Sequence, residues 1–540
     1  MRRRLQWVAA GLALAGVLTA GSMQPLAAGS VGNEVREGGD FRINLGAGAF
    51  DFIDPALAYQ GSSLLVLNTV CATLMAYRDK PPPEGYRLVP DVAKAYPRVS
   101  KDGKTWTFTL RSGFRFSDGR PVQASAFARA INRTLAPGVD STGAQYTRDI
   151  VGAEDVQKGK AESAKGVVAR GNTLIVRFTR PVPDFPARTT MAFFCAVPPE
   201  LPADPEGVGA FPAAGPYYVA DYRPGTSIVI ERNPYYGGAR PRHVDRFLVD
   251  LRPTSADQML DEVERGDADW GVANREILFD PARGLAKKYG VNKSRFFVLP
   301  GFRFRGYALN TSRPLFRNNP RLRQAVNFAI DRSALEGGGG RGQLTDQYLP
   351  STMPGFKDAH IYPLRRPDLS RARALARGQT RSGKAVLYTL DIPEALVFAR
   401  IVRRNLAQIG LDVQVKGWPP GAFFTRGSAR GEPVDILFVP WAPDYIDPFA
   451  YLNFFFDSRF IGLSNNARFV SPGYDRLLRR AASLQGEARA RAYGALDVQL
   501  ARDAAPMVAT GFINEPTLVS ERVGCIVLRP ELDLTVVCLK

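Results

Sequence analysis

Histidine is almost missing from this chain, with only His243 and His360 among 540 residues. A nucleophile relay needs an imidazole base, and neither the GxSxG elbow nor the HExxH pair occurs, so acyl-transfer and zinc-hydrolase chemistry lack their usual parts. Cysteine is scarce as well: Cys71, Cys195, Cys525 and Cys538 are the four, and no CxxC pair is present to begin a metal site. With Cys71 the first of them, no thiol near the start is available for lipid attachment. After the opening segment there is no apolar run of the roughly 20 residues that would span a bilayer.

The opening segment does carry one pattern. Arg2, Arg3 and Arg4 precede an apolar run from Trp7 to Ala20 and small residues ending at Ala27 and Ala28. Charge, a short apolar stretch and small residues in that order predict a secretory signal over residues 1–28, with an uncleaved anchor as the alternative. Export permits disulfides, and four cysteines allow three pairings. Two β-rich runs around Pro530 favour Cys525 with Cys538, which leaves Cys71 for Cys195; four buried free thiols are the alternative.

The chain is too long for one hydrophobic core, since single cores stop growing near about 250 to 300 residues. At least two lobes follow. Hydrophobic residues make up 45% and aromatics 10%, as in ordinary folded proteins. The formal charge is +19, yet the arginines are spread along the sequence instead of forming a tract. That spread reads as a basic surface and not as a nucleic-acid site.

Alternating runs predict strands at Thr105 to Leu110, in TLIVRFTRPV, and in a hairpin around Arg223-Pro224-Gly225. Helical spacing marks Leu64 to Met75, Val122 to Leu135, Met259 to Arg265 and Pro320 to Leu335. Between residues 372 and 441 helices alternate with apolar strands, which points to an α/β lobe with strands side by side, closed by a helical region from Tyr474 to Leu500. The glycine run at 336–342 has no following Gly-Lys-Ser/Thr and no leading strand, so it reads as a connector and not as a phosphate loop. Carboxylate pairs such as Asp444 with Asp447, or Asp267 with Asp269, arise by chance among 52 acidic residues and carry little weight alone.

One long block is more specific: LVPDVAKAYPRVSKDGKTWTFTLRSGFRFSDGRPVQASAFARAINR. With GPYYVADYRPGTSIVIERNPYY, ALNTSRPLFRNNPRLRQAVNFAIDRSAL, YLPSTMPGF, RRNLAQIGLDVQVK and PWAPDYIDPFAYL, in that order, it resembles the family 5 extracellular solute-binding proteins of ABC importers. The resemblance implies a two-lobe α/β fold of the periplasmic-binding-protein type (type II, large peptide-binding form). Lobe 1 would hold 29–270 with an inserted subdomain near 56–170, lobe 2 would hold 271–505, and 506–540 would return to lobe 1. The two crossovers, near Gly266 to Trp270 and Asp503 to Pro506, would form the hinge.

By the same resemblance, the Trp-x-x-Asp-Tyr motif falls on Trp441, Asp444 and Tyr445, with Asp444 pairing with a ligand ammonium and Trp441 lining the cleft. Pro443 departs from the small residue expected before the aspartate. Ser62, Arg303 and Arg305 are further binding candidates, the arginines by charge alone. The implied function is capture of a peptide or similar small organic ligand and its delivery to an ABC permease, by a monomer with no cofactor, no metal and no nucleic-acid partner, at the periplasm or cell envelope. The alternatives are a secreted binding protein for another solute with a signalling or chaperone role, and a secreted hydrolase with an unrecognised carboxylate site.

Overall fold

A computed structural model describes residues 36–272, 275–337, 340–527 and 532–540. The expected signal segment, its anchor alternative, and Gly338 and Gly339 of the glycine run lie outside the described residues.

Three larger sheets organise the chain. The first has five strands in the order Trp270–Gly271, Asp40–Asn44, Arg246–Asp250, Ser227–Arg232 and Tyr217–Arg223. The last two form the expected hairpin, and Gly225 supplies its turn with φ +67°. Alternation along these strands sends Phe41, Ile43, Ile228, Ile230, Phe247 and Val249 into one core.

The second sheet is Arg98–Val99, Thr105–Thr109, Thr173–Arg177 and Val167–Arg170, in the stretch where the resemblance implies an inserted subdomain. Trp106 and Phe108 meet Leu174 and Val176 under the helix Ala124–Leu135, which contributes Phe127 and Ile131. This core runs on to Ala196, so the expected edge near 170 falls inside a hairpin and not at a boundary.

The third sheet has six strands: Gly342–Leu344, Met507–Leu518, Phe296–Leu309, Ile436–Trp441, Lys384–Leu390 and Asp412–Trp418. The strands at 384–390, 412–418 and 436–441 are parallel, with the helix Pro393–Ala407 crossing between the first two, as the alternating pattern predicts. The sheet is mixed, because Phe296–Leu309 runs antiparallel to both of its neighbours. The helical region near the end is two helices, Pro472–Ser483 and Gly486–Gln499.

Met507–Leu518 differs from expectation. The resemblance places it in the return to lobe 1, but its buried run Met507 to Phe512 fills the third sheet beside Phe296–Leu309. A continuous apolar stretch suits a strand covered on both faces, which this position provides. The chain rejoins the first sheet only at Val519, which bridges Trp270. There Trp270 Nε1 donates to Thr517 Oγ1 at 2.8 Å, Ser520 N donates to the Asp269 carbonyl at 2.9 Å, and Ser520 Oγ donates to the Asp269 carboxylate at 2.7 Å. The chain therefore passes between the two sheets at 517–520 and not near Asp503 to Pro506, and there it lies beside Asp269 and Trp270 in one hydrogen-bonded seam.

Both favoured disulfides are present, Cys71–Cys195 and Cys525–Cys538, with Cα separations of 5.3 and 4.9 Å. The first closes a loop with a sequence separation of 124, worth about 5 kcal/mol of unfolded-chain entropy in the loop-closure treatment.

In the second lobe Asp497 is wholly buried, accepting from Tyr348 N at 2.8 Å and Gln347 Nε2 at 3.0 Å. Burial pushes its carboxyl up to about 7. An acid whose folded pKa is raised binds more protons folded than unfolded, so stability falls as pH rises from the ordinary carboxyl range to about 7. Asp497→Asn is expected to flatten that limb of a urea-midpoint-versus-pH curve; an unchanged slope would refute the assignment.

Candidate functional site

The strand Ile436–Trp441 sits in the interior of the third sheet and ends by releasing residues 442–448 toward the first half of the chain. Trp441 anchors the exit. Its indole Nε1 donates to the Ala450 carbonyl at 3.0 Å, and its ring meets Phe454 and Phe455 edge-on, with centroids 5.6 Å away in both cases. Asp447 closes the segment by accepting from Phe449 N at 2.8 Å at the start of the helix Phe449–Phe456.

Between these anchors the segment meets four elements of the first half. Asp444 accepts from the Tyr59 hydroxyl at 2.6 Å and from the Tyr146 hydroxyl on its other oxygen. Tyr445 is buried among the aromatic residues of the inserted subdomain, edge-on to Tyr146, and its hydroxyl donates to Asp184. The Tyr77 hydroxyl donates to the Ile446 carbonyl at 2.8 Å and accepts from Ile446 N at 2.9 Å. Burial and then the Asp444 carboxylate push the Tyr59 hydroxyl well above its usual range. The Tyr146 hydroxyl is raised in the same way, so both remain protonated donors at neutral pH.

Local sequence explains how Tyr59 arrives there. Asp54 is fully buried and forms a two-pronged pair with Arg133, at 2.9 and 2.6 Å, while also accepting from Ala56 N and Val208 N. That fixes the turn at Pro55, and Asp51 then accepts from Tyr59 N and Gln60 N. Tyr146 is held by stacking on Phe193 and by Arg188, whose guanidinium lies 5.6 Å from its ring centroid.

Counter-charge separates Asp444 from its acidic neighbours. Asp54 pairs with Arg133, Asp184 with Arg188 at 2.8 Å, and Asp447 with Arg489 at 2.7 Å. Among the described residues Asp444 receives only hydroxyl donors and no cation. It is also exposed, whereas Asp54 and Asp184 are buried.

The other candidates are placed apart from it. Ser62 is buried in the first turn of the helix Gly61–Val70, three residues beyond Tyr59. Arg303 pairs with Glu515 at 3.3 Å on the neighbouring strand, and no described contact joins it to Asp444. Arg305 is a structural residue: it donates to the Leu335 and Glu336 carbonyls, pairs with Glu394 and lies 4.6 Å from the centroid of the Phe398 ring. A depression of about 450 Å³ opens beside the first sheet, lined by Arg42, Asn44, Asp250 and Glu262 among others. No residue of the Asp444 cluster lines it.

Tyr59, Tyr77, Tyr146, Asp184 and Arg188 were not singled out from the sequence. Only Tyr59 left a signal, as the last residue of FDFIDPALAY after the Asp54-Pro55 break. Tyr77, Tyr146 and Asp184 lie 261 to 369 residues from their partners in the 444–446 segment, and Arg188 enters only through Asp184 and Tyr146.

The sequence model described as "Bacterial extracellular solute-binding proteins, family 5 Middle" matches residues 87–462, well over half of the chain. The chain belongs to this family. Its solute-binding relatives include the probable D,D-dipeptide-binding periplasmic protein DdpA of Escherichia coli, 27% identical over 445 residues, covering 79% of this chain and 80% of that protein. Among solved structures, the clavulanic acid biosynthesis oligopeptide binding protein 2 aligns with TM-score 0.79 at 25% identity, over 93% of this chain and 96% of the other. The periplasmic murein tripeptide binding protein MppA in its unliganded open form aligns with TM-score 0.76 at 20% identity, over 94% and 98%. Family 5 consists of periplasmic or extracellular binding proteins, and among the described residues no helix is long and apolar enough to cross a membrane.

Proposed function

We propose that this solute-binding protein captures a peptide, or a similar small organic cation, where its two halves meet beside Asp444, and delivers it unaltered to an ABC permease. The single observation behind this is the missing counter-charge. Three aspartates around the junction are matched by arginines, while among the described residues Asp444 is met only by two hydroxyls. A ligand ammonium supplies the absent cation through a charge-assisted hydrogen bond, which strengthens as the bound ligand displaces water from the exposed carboxylate. Tyr59 and Tyr146 then serve as gates that yield one oxygen to the ligand, and Trp441 positions the segment from behind.

The names of the relatives, which mention dipeptides and oligopeptides, support peptides as the ligand class. The binding-protein family and the shortage of imidazole support transport without catalysis.

The test is a thermal-shift screen with peptide mixtures in matched free and N-acetylated forms. Ligands that bind the native state raise Tm by mass action. Free peptides are expected to raise it and N-acetylated ones to leave it unchanged. Equal shifts from both forms would remove the ammonium from the proposal, and peptide turnover in the same mixtures would replace binding with hydrolysis.

A further inference from the structure

Two groups of arginines that stand apart in the sequence are brought beside each other at the helices Leu369–Ala376 and Pro393–Ala407. Between residues 365 and 384 there are six arginines and Lys384, and three more arginines stand at 400, 403 and 404. The fold joins the two groups. Arg373, in the helix Leu369–Ala376, donates from Nε to the Gln408 carbonyl at 3.0 Å and from Nη2 to Gln408 Oε1 at 3.0 Å, one turn beyond Arg404. Arg377 follows Arg373 by four residues.

On the helix Pro393–Ala407 the buried side is Ala395, Phe398, Ala399, Val402 and Leu406. Arg400, Arg403 and Arg404 are spaced i, i+3, i+4 on the exposed side. The nearby acids are engaged elsewhere: Asp368 caps its helix by accepting from Arg371 N at 2.9 Å, and Glu394 pairs with Arg305. Among the described residues no carboxylate reaches ion-pair distance of Arg373, Arg377, Arg400, Arg403 or Arg404. Two aliphatic side chains complete the face. Ile392 is 40% and Val397 43% exposed, and Val397 shares its helical stripe with Arg400 and Arg404.

We propose that this face rests on an anionic phospholipid surface. Guanidiniums without counter-ions over a broad helical face match a layer of phosphate groups, each basic residue adding to the attraction. Ile392 and Val397 supply small apolar contacts of the kind that interfacial helices lay into the headgroup boundary. A nucleic acid fits less well, because the exposed aromatics available for base stacking, Tyr59, Tyr235 and Phe424, belong to other segments. The face uses no residue of the Asp444 cluster, so it stands whether or not the ligand reading holds.

The experiment is co-sedimentation of the intact protein with vesicles of phosphatidylcholine alone or with phosphatidylglycerol added. Binding is expected only to the anionic vesicles and should fall as salt rises. The triple variant Arg400→Glu, Arg403→Glu, Arg404→Glu should lower the partition coefficient roughly a hundredfold. Arginine-to-lysine replacements at the same three sites should keep most of the binding. Reversal of Arg98, Lys101 and Arg170, exposed on the inserted subdomain, should leave it intact. A matching Tm for each variant shows that it is folded. The proposal is overturned by equal binding to both vesicle types, by undiminished binding of the triple glutamate variant, or by tighter binding of a DNA duplex through the same residues.

Discussion

Asp444→Asn is expected to abolish the Tm rise that free peptides produce while leaving the ligand-free Tm almost unchanged. The substitution keeps shape and removes only charge. One of Tyr59 and Tyr146 keeps an oxygen to donate to while the other hydroxyl turns to accept from the new amide NH2, and because Asp444 is exposed with no arginine partner, no buried cation is stranded. The loss falls on the complex alone. Truncating one partner of a desolvated charge pair costs about 2 kcal/mol or more, a weakening of at least about thirtyfold in Kd. Isothermal titration with any peptide that scores in the screen measures it, and an unaltered Kd would remove Asp444 from the site. The same change at Asp447 should behave differently, since Arg489 would lose its carboxylate and the start of the helix Phe449–Phe456 its cap.

Arg133→Met should give the largest loss of stability. Arg133 and Asp54 are 1% and 0% exposed, so removal of the guanidinium leaves a buried carboxylate holding only two backbone N–H donors. Breaking such a pair costs about 3 to 5 kcal/mol, whereas replacing both members by neutral groups costs much less. A urea denaturation series should therefore show Asp54→Asn with Arg133→Met to be more stable than Arg133→Met alone. Because Asp54 fixes the turn that leads to Tyr59, the single variant should also weaken peptide binding. A single variant as stable as the parent chain would show that the pair is not needed for the fold.

Periodicity made much of the architecture legible. The 217–232 hairpin, the helix Ala124–Leu135 and the strand-helix-strand unit over 384–418 each follow local alternation or helical spacing, which act within a few residues. Pairing across the chain was harder. Nothing local in Met507–Leu518 says which sheet it joins, and only the need to cover both faces of an apolar run places it. Helix starts are blurred for a related reason: the apolar spacing predicts Met259 as the first residue, but Ser255 and Gln258 form a capping box that begins the helix at Ala256.

The candidate site was legible on one side only. Trp441, Asp444 and Tyr445 stood out as a motif, while the tyrosines that answer them come from separate turns of the first half. A tyrosine in a loop carries no periodic mark, and its role appears only once distant segments are folded together. The arginine face shows the same limit in reverse: each residue was visible, but their shared plane was not.

The stitched seam at Asp269, Trp270, Thr517 and Ser520 restricts how the halves can separate. Two ribbons bonded edge to edge flex easily out of their common plane and resist sliding past each other. On the proposed function, opening to admit a ligand would be a swing about this seam, like a book turning on its spine. Each closure would then bring Asp444 back to the same pair of hydroxyls.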